Sequence, residues 1–165
     1  MWSLHFAEKI RKNKAMGVVN FMEKLSKEAE RILEERFGKD SVIALATTQD
    51  GVPYVRYVNA YYENRAFYVI TYRLSNKMRQ IGQNPLVGIA GDWFTAHGSG
   101  MNLGYFGKKE NGQIAEKLRK AFAGWIDNGH NDFQDENTCI LRIRLKDGIL
   151  FSHGTRYEID FEELS

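Results

Sequence analysis

Three residues in this chain, Arg56, Ser75 and Lys77, have the type and spacing to hold an anion. Arg56 interrupts the apolar, β-branched run Val52 to Tyr62, VPYVRYVNAYY, and Ser75-Asn76-Lys77 follow a second such run, Ala66 to Thr71, across a short loop. Ser75 falls where a helix would begin, with Asn76 and Lys77 in its first turn and Met78 and Ile81 as its buried side. A helix start offers unpaired backbone N–H groups and the positive end of aligned peptide dipoles. A hydroxyl at the cap and an ammonium two residues later complete a candidate phosphate site. Strand alternation puts Arg56 on the face shared with Tyr54 and Val58, and a guanidinium buried there needs an anionic partner. If the strands pair as a hairpin, Arg56 and Lys77 face one dianion from two sides, the arginine offering a bidentate fork. The plain alternative is an exposed edge-strand arginine beside a capped surface helix, and the pattern alone leaves both readings open.

Other reactive chemistry is sparse. The sequence has no GxSxG, no HExxH and no phosphate loop, and the GSG at Gly98 lacks the third glycine of a dinucleotide fingerprint. The histidines His5, His97, His130 and His153 are scattered, with no metal spacing, and His97 is expected to be a hydrogen-bonded structural residue. Cys139 is the only cysteine, which excludes an internal disulfide and a cysteine-based zinc site. Its apolar setting, CILRIRL, predicts a buried, inert thiol. No side chain is marked as catalytic, so redox chemistry here would need a bound cofactor.

The elements around these residues read as follows. Residues 1–17 form an N-terminal arm in which Trp2, Phe6 and Ile10 recur at helical spacing among lysines and arginines, a pattern of subunit-packing arms and, less often, of membrane-surface helices. Val18 to Phe37 is an amphipathic helix with Phe21, Met22, Leu25, Ala29, Ile32, Leu33 and Phe37 on its apolar face and Gly38 as its stop. Strands follow at Ser41 to Thr47, Val52 to Tyr62 and Ala66 to Thr71, joined by Asp50-Gly51 and by Glu63-Asn64-Arg65. Beyond Asn84-Pro85 come Leu86 to Ala90 and Trp93 to Leu103, whose glycines predict bulges and the curvature of a closing barrel. A helix is expected over Ile114 to Ile126, then a strand at Thr138 to Lys146, a turn at Asp147-Gly148, and a last pair at Ile149 to Ser152 and Arg156 to Phe161. About six antiparallel strands with helical insertions predict a mainly β fold, a small barrel decorated by helices.

The 165 residues fit one domain spanning 1–165, with 43% hydrophobic and 27% charged residues. A net charge of +2 does not point to nucleic acid, and no apolar run reaches the length of a membrane span. The expectation is a cytoplasmic protein with neither partner.

Four stretches carry a family likeness: SVIALATTQDGVPYVRYVNAYY, FYVITYRLSNKMRQIGQNPLVGIA, WFTAHGSGMN and the late CILRIRLKDGILF. In order, spacing and strand pattern over residues 18–161 the chain resembles the pyridoxamine 5'-phosphate oxidase-like superfamily, especially its general-stress-protein branch. The most specific part is T-x₃-S-x-K-x₃-I-x₂-NP with the upstream arginine. The resemblance implies a six-stranded antiparallel split β-barrel that binds FMN, two per homodimer, at the interface between copies. It implies a phosphate held by Arg56, Ser75, Asn76 and Lys77. The flavin ring would lie along Tyr57, Val58 and Asn59 and against Ile70 and Thr71. It further implies a flavin-dependent oxidoreductase that takes electrons from a nicotinamide or other small donor. Two departures separate the chain from the vitamin oxidases themselves: Asn76-Lys77 replaces an Arg-Lys pair, and the ending FSHGTRYEIDFEELS lacks their Arg- and His-containing motif. Trp93 also stands where the family frequently has Gln. A flavin store or sensor without turnover, or a haem-binding barrel using His97 or His153, are the other readings.

Overall fold

The computed structural model describes residues 2–162, excluding the side chains of residues 2–7, 9, 10 and 25. The expected stripe of Trp2, Phe6 and Ile10, and the place of Leu25 in the apolar face, lie outside the described side chains. The chain opens with one helix, α1 (Trp2–Phe37), with no boundary between arm and helix. Strands β1 (Ser41–Gln49), β2 (Val52–Glu63) and β3 (Ala66–Tyr72) lead into α2 (Asn76–Gln83). Then come β4 (Leu86–Gly91), β5 (Phe94–Tyr105), a 3₁₀ turn, α3 (Gly112–Ala121), β6 (Thr138–Ser152) and β7 (Thr155–Asp160).

The sheet order is β3-β2-β1-β4-β5-β6-β7, and β3 also pairs with β6. Six strands therefore close into an antiparallel barrel, with β7 added along β6. Its interior holds Phe37, Phe67 and Phe94, ring centroids 5.5 to 6.4 Å apart, among Ile43, Leu45, Leu141 and Ile143. A second cluster on the outside, built on Leu118, Phe122, Phe106 and Ile140, seats α3. Two-residue turns with both central φ positive close the tight hairpins, at Asp50-Gly51 and Asn64-Arg65 as expected and at His153-Gly154.

Four expectations need correction. Phe21 and Met22 are 61% and 54% exposed, because 36 helical residues, about 54 Å at 1.5 Å each, outrun the barrel beneath them. Among the described side chains of the expected face, Ala29, Ile32, Leu33 and Phe37 are buried against it. The third helix ends at Ala121 rather than Ile126: the Ala123 N–H turns back to Lys120 O in a tightened last turn, just before Gly124. Asp147-Gly148 is not a turn. β6 runs straight through it, and the irregularity is a register shift against β5 between His97 and Gly98. Gly148 is needed instead for packing, since a Cβ there would lie 2.8 Å from the Phe94 ring. Trp93, expected to open a strand, has φ 50 in the turn before β5.

Candidate anion site at the open seam of the barrel

The seam between β2 and β3 is where the expected residues gather. β2 pairs with β1 from Val52 to Ala60, but with β3 only at Tyr61, Tyr62 and Glu63. β3 in turn pairs along its whole length with β6. The two strands leave their hairpin together and splay apart. The edges of β2 around Arg56–Asn59 and of β3 around Val69–Tyr72 are thus left without a strand partner on that side. A strand edge offers N–H and C=O groups for a flat polar ligand.

The short helix sits at the mouth of this seam. Ser75 is the residue before α2, with φ −68 and ψ 156, and its N–H bonds to Tyr72 O at 3.0 Å, so the chain folds directly from β3 into the helix. Met78, Gln80 and Ile81 face inward. Gly100 allows this close seat, since a Cβ there would come within 2.9 Å of Ile81 Cγ2.

Arg56 occupies the end of the inward face of β2, in the register of Leu45 and two residues before buried Val58. It is part-buried, on a strand edge that β3 does not cover. Its Nη1 donates to Thr47 Oγ1 at 2.6 Å and its Nη2 to Gln80 Oε1 at 2.9 Å. Thr47 Oγ1 donates in turn to Gln80 Oε1 at 2.6 Å, closing a triangle whose two neutral members are almost wholly buried. The guanidinium is thus held by acceptors that carry no charge. Burial alone pulls its pKa below the usual value. Lys77 is half-buried in the first turn of α2, and its pKa is lowered first by burial and then by the charge of Arg56, with Cys139 opposing. Neither cation makes an ion pair among the described residues. Two partly desolvated positive charges close enough to repel constitute an unmet demand for an anion.

The hydroxyls agree. Ser75 makes no capping hydrogen bond, and Ser75 Oγ and Thr71 Oγ1 are both buried without a partner. Such groups ordinarily find one. A phosphate accepting from Arg56, Lys77, the free N–H groups of α2 and these hydroxyls would satisfy the donors together, so the residues present fit a phosphate-bearing cofactor.

The remaining expected residues divide. Asn76 is exposed, and its Oδ1 accepts a hydrogen bond from Arg79 Nη2, which brings to the helix start a cation the sequence reading did not use. Tyr57 is 80% exposed and points outward, while Val58 points into the core, so only its backbone can meet a ligand in the seam. The Asn59 amide is committed to Asp40 Oδ1 at 3.0 Å, and the other Asp40 oxygen accepts from Trp125 Nε1 at 2.8 Å. Ile70 is half-buried against the α3 cluster. Thr47 and Gln80 were missed by the sequence reading. Gln80 was legible as a polar residue one position before buried Ile81, but nothing local tied it to Arg56.

The histidines offer no convergent site. His97 Nδ1 lies 2.8 Å from Asp147 Oδ1, and His153 Nδ1 lies 3.0 Å from Ser152 Oγ, both on exposed surface. No group of three metal-ligating side chains occurs among the described residues. Nor is any helix long and apolar enough among them to cross a membrane.

Comparison with known proteins places this geometry. Residues 25–149 match the family profile described as Pyridoxamine 5'-phosphate oxidase. No curated protein sequence matches. Among solved structures, General Stress Protein 26 from Bacillus anthracis str. Sterne is similar with TM-score 0.59 at 15% identity, over 77% of this chain and 95% of that one. A FAD-binding protein from Mesorhizobium loti is similar with TM-score 0.55 at 17% identity, over 67% and 85%. A heme binding protein from Mycobacterium smegmatis is similar with TM-score 0.57 at 15% identity, over 75% and 54%. With the profile covering most of the barrel, the chain belongs to the pyridoxamine 5'-phosphate oxidase family.

Proposed function

We propose that this protein binds FMN in the β2–β3 seam and works as a flavin-dependent oxidoreductase on a small molecule, as a homodimer. The observation that carries the reading is the pairing of Arg56 with Lys77: two half-buried cations without ion pairs, beside the unpartnered hydroxyls of Thr71 and Ser75. Arg56, Ser75, Asn76 and Lys77 hold the phosphate, and the backbone of Tyr57, Val58 and Asn59 with Ile70 and Thr71 borders the ring. When bound, the flavin supplies two-electron transfer that no side chain here provides. The chain's own work is to neutralise the phosphate, fix the ring along a strand edge and keep water from one of its faces.

Dimerisation is supported by the outer surface of β1 and β2. Val42, Val55 and Tyr57 are all more than half exposed there, beside a shallow groove of about 370 Å³ between β1, β4, β5 and β6. A contiguous apolar face of this kind marks an association surface. A second copy covering it would bring a partner over the exposed Tyr57.

The test is the purified protein's spectrum and its response to reductant. A flavin absorbance that bleaches with NADH or NADPH and returns in air supports the oxidoreductase. Stable flavin that no donor reduces reduces the reading to a store or sensor. A haem spectrum overturns it. Light scattering showing a monomer at micromolar concentration removes the dimer.

A further inference from the structure

Cations also collect at a place that the flavin reading does not use. A cavity of about 310 Å³ opens beside the tip of the β2–β3 hairpin and the middle of β6, with Arg65, Tyr68, Arg142, Arg144 and Asn64 in its wall and no carboxylate side chain among the described residues that line it. The register explains the cluster. Tyr68 lies opposite Arg142 and Ala66 opposite Arg144, so the two arginines stand two residues apart on one face of β6. Arg65 enters from the hairpin turn, its Nε held by Glu30 Oε1 at 2.6 Å.

The three guanidiniums are not equally engaged. Arg65 has its carboxylate. Among the described residues the one side-chain hydrogen bond of Arg142 is to Met101 Sδ, at 3.8 Å through Nη2, and its Nε is buried with no hydrogen-bond partner. Arg144 is exposed and forms no ion pair among the described residues. Like charges at adjacent same-face positions repel, and a polar donor buried without an acceptor is uncommon. Burial raises the Tyr68 pKa, so its hydroxyl remains a neutral donor. Donors without matching acceptors, in a cavity at the small end of ligand sites, select a compact oxyanion.

We propose that this cavity is a second anion site, taking the phosphate or carboxylate group of a small molecule between Arg142 and Arg144, with Arg65 and Tyr68 as its walls. Phosphate and carboxylate share the planar, bidentate recognition that arginine provides. The site shares no residue with the Arg56–Lys77 site and does not depend on flavin binding there.

The test titrates inorganic phosphate into the full chain and follows its ³¹P linewidth. An R56Q/K77Q variant silences the seam site and should still broaden the signal saturably. Adding R142Q and R144Q should weaken that binding by about tenfold or more, as expected for loss of a charge-assisted fork. Malonate displacing the phosphate from R56Q/K77Q extends the site to carboxylates, and failure to displace it limits the site to phosphates. In the unmutated protein the Nε–H and amide resonances of Arg142 and Arg144 should move with phosphate, a readout that needs no variant to fold. Movement confined to residues 75–78, or a quadruple variant that binds as tightly as the double, overturns the second site and leaves the seam site standing.

Discussion

Arg56 and Arg142 are both arginines placed mid-strand in the same barrel, both partly buried and both without a carboxylate partner, yet their surroundings differ. Arg56 is locked by Thr47 and Gln80, each nearly inaccessible to water, so its fork is aimed before any ligand arrives. Arg142 has one weak contact to a thioether and a buried Nε with no acceptor. The first is held in one geometry, as the proposed phosphate site requires. The second is a charge with donors to spare but no scaffold to fix it. Neutral acceptors around Arg56 achieve what a carboxylate would spoil: they hold the guanidinium without cancelling its charge.

Breaking the organised site directly has the largest expected effect. Arg56→Ala removes a charge-assisted, bidentate partner of the phosphate, a loss of about 1.5–3 kcal/mol. FMN affinity by isothermal titration should fall roughly 10- to 100-fold. Unchanged affinity in both Arg56→Ala and Lys77→Ala would remove the assignment.

Gln80→Glu tests whether the neutrality of the scaffold matters. The substitution leaves an acceptor 2.9 Å from Arg56 Nη2 but makes it an anion. Thermal stability should hold or rise while FMN affinity drops by about 1–2 kcal/mol, since the carboxylate competes with the phosphate. If affinity and stability fall together, Gln80 is only a packing residue.

A pH titration reads the strain at Lys77. Its pKa lies below 10.5 in the folded chain, so the unfolded chain binds the proton more tightly. Between the lowered value and 10.5, unfolding takes up a proton, and stability without FMN should rise with pH through that window. The penalty is present in full below the window and absent above it. A bound phosphate favours the ammonium, so FMN affinity should move the other way and fall as pH rises. Both trends are read as wild type minus Lys77→Met, because burial pushes the Cys139 thiol up to about 11 and it titrates nearby. A flat difference curve would show that Lys77 is not desolvated in solution.

The smallest effect is expected from Asn76→Arg. It returns a cation to the helix start at an exposed position, where Arg79 already contributes one. A gain of about 0.2–1 kcal/mol in FMN binding is the scale for such surface charge. A loss in affinity would show that the Asn76–Arg79 contact organises the helix start.

Much of this was readable from local pattern, and the failures have specific causes. The hairpins at Asp50-Gly51 and Asn64-Arg65 were legible because Asp50, Gly51 and Asn64 are types that tolerate positive φ, whereas Arg65 is held there by the turn. The start of α2 was legible because Ser75 ends one periodicity and begins another. The continuity of β6 through Asp147-Gly148 was not, because the same dipeptide serves a turn or a packing contact, and only Phe94 from another strand decides between them. The exposure of Phe21 and Met22 was hidden likewise: an apolar stripe records which face of a helix is greasy, not where the surface beneath it stops.

The sequence by itself determined most of the strands and helices, the inward parity of Arg56 and the place where α2 begins, because each depends on residues within one or two turns of one another. The tertiary structure alone decided that β2 and β3 part after three pairs, that Gln80 and Thr47 meet Arg56, and that Arg65, Arg142 and Arg144 share a cavity. The contacts of Arg56 with Thr47 and Gln80, and the meeting of Arg65 with Arg142 and Arg144, join positions 9 to 79 residues apart. Barrel closure sets such distances, and no local spacing encodes them.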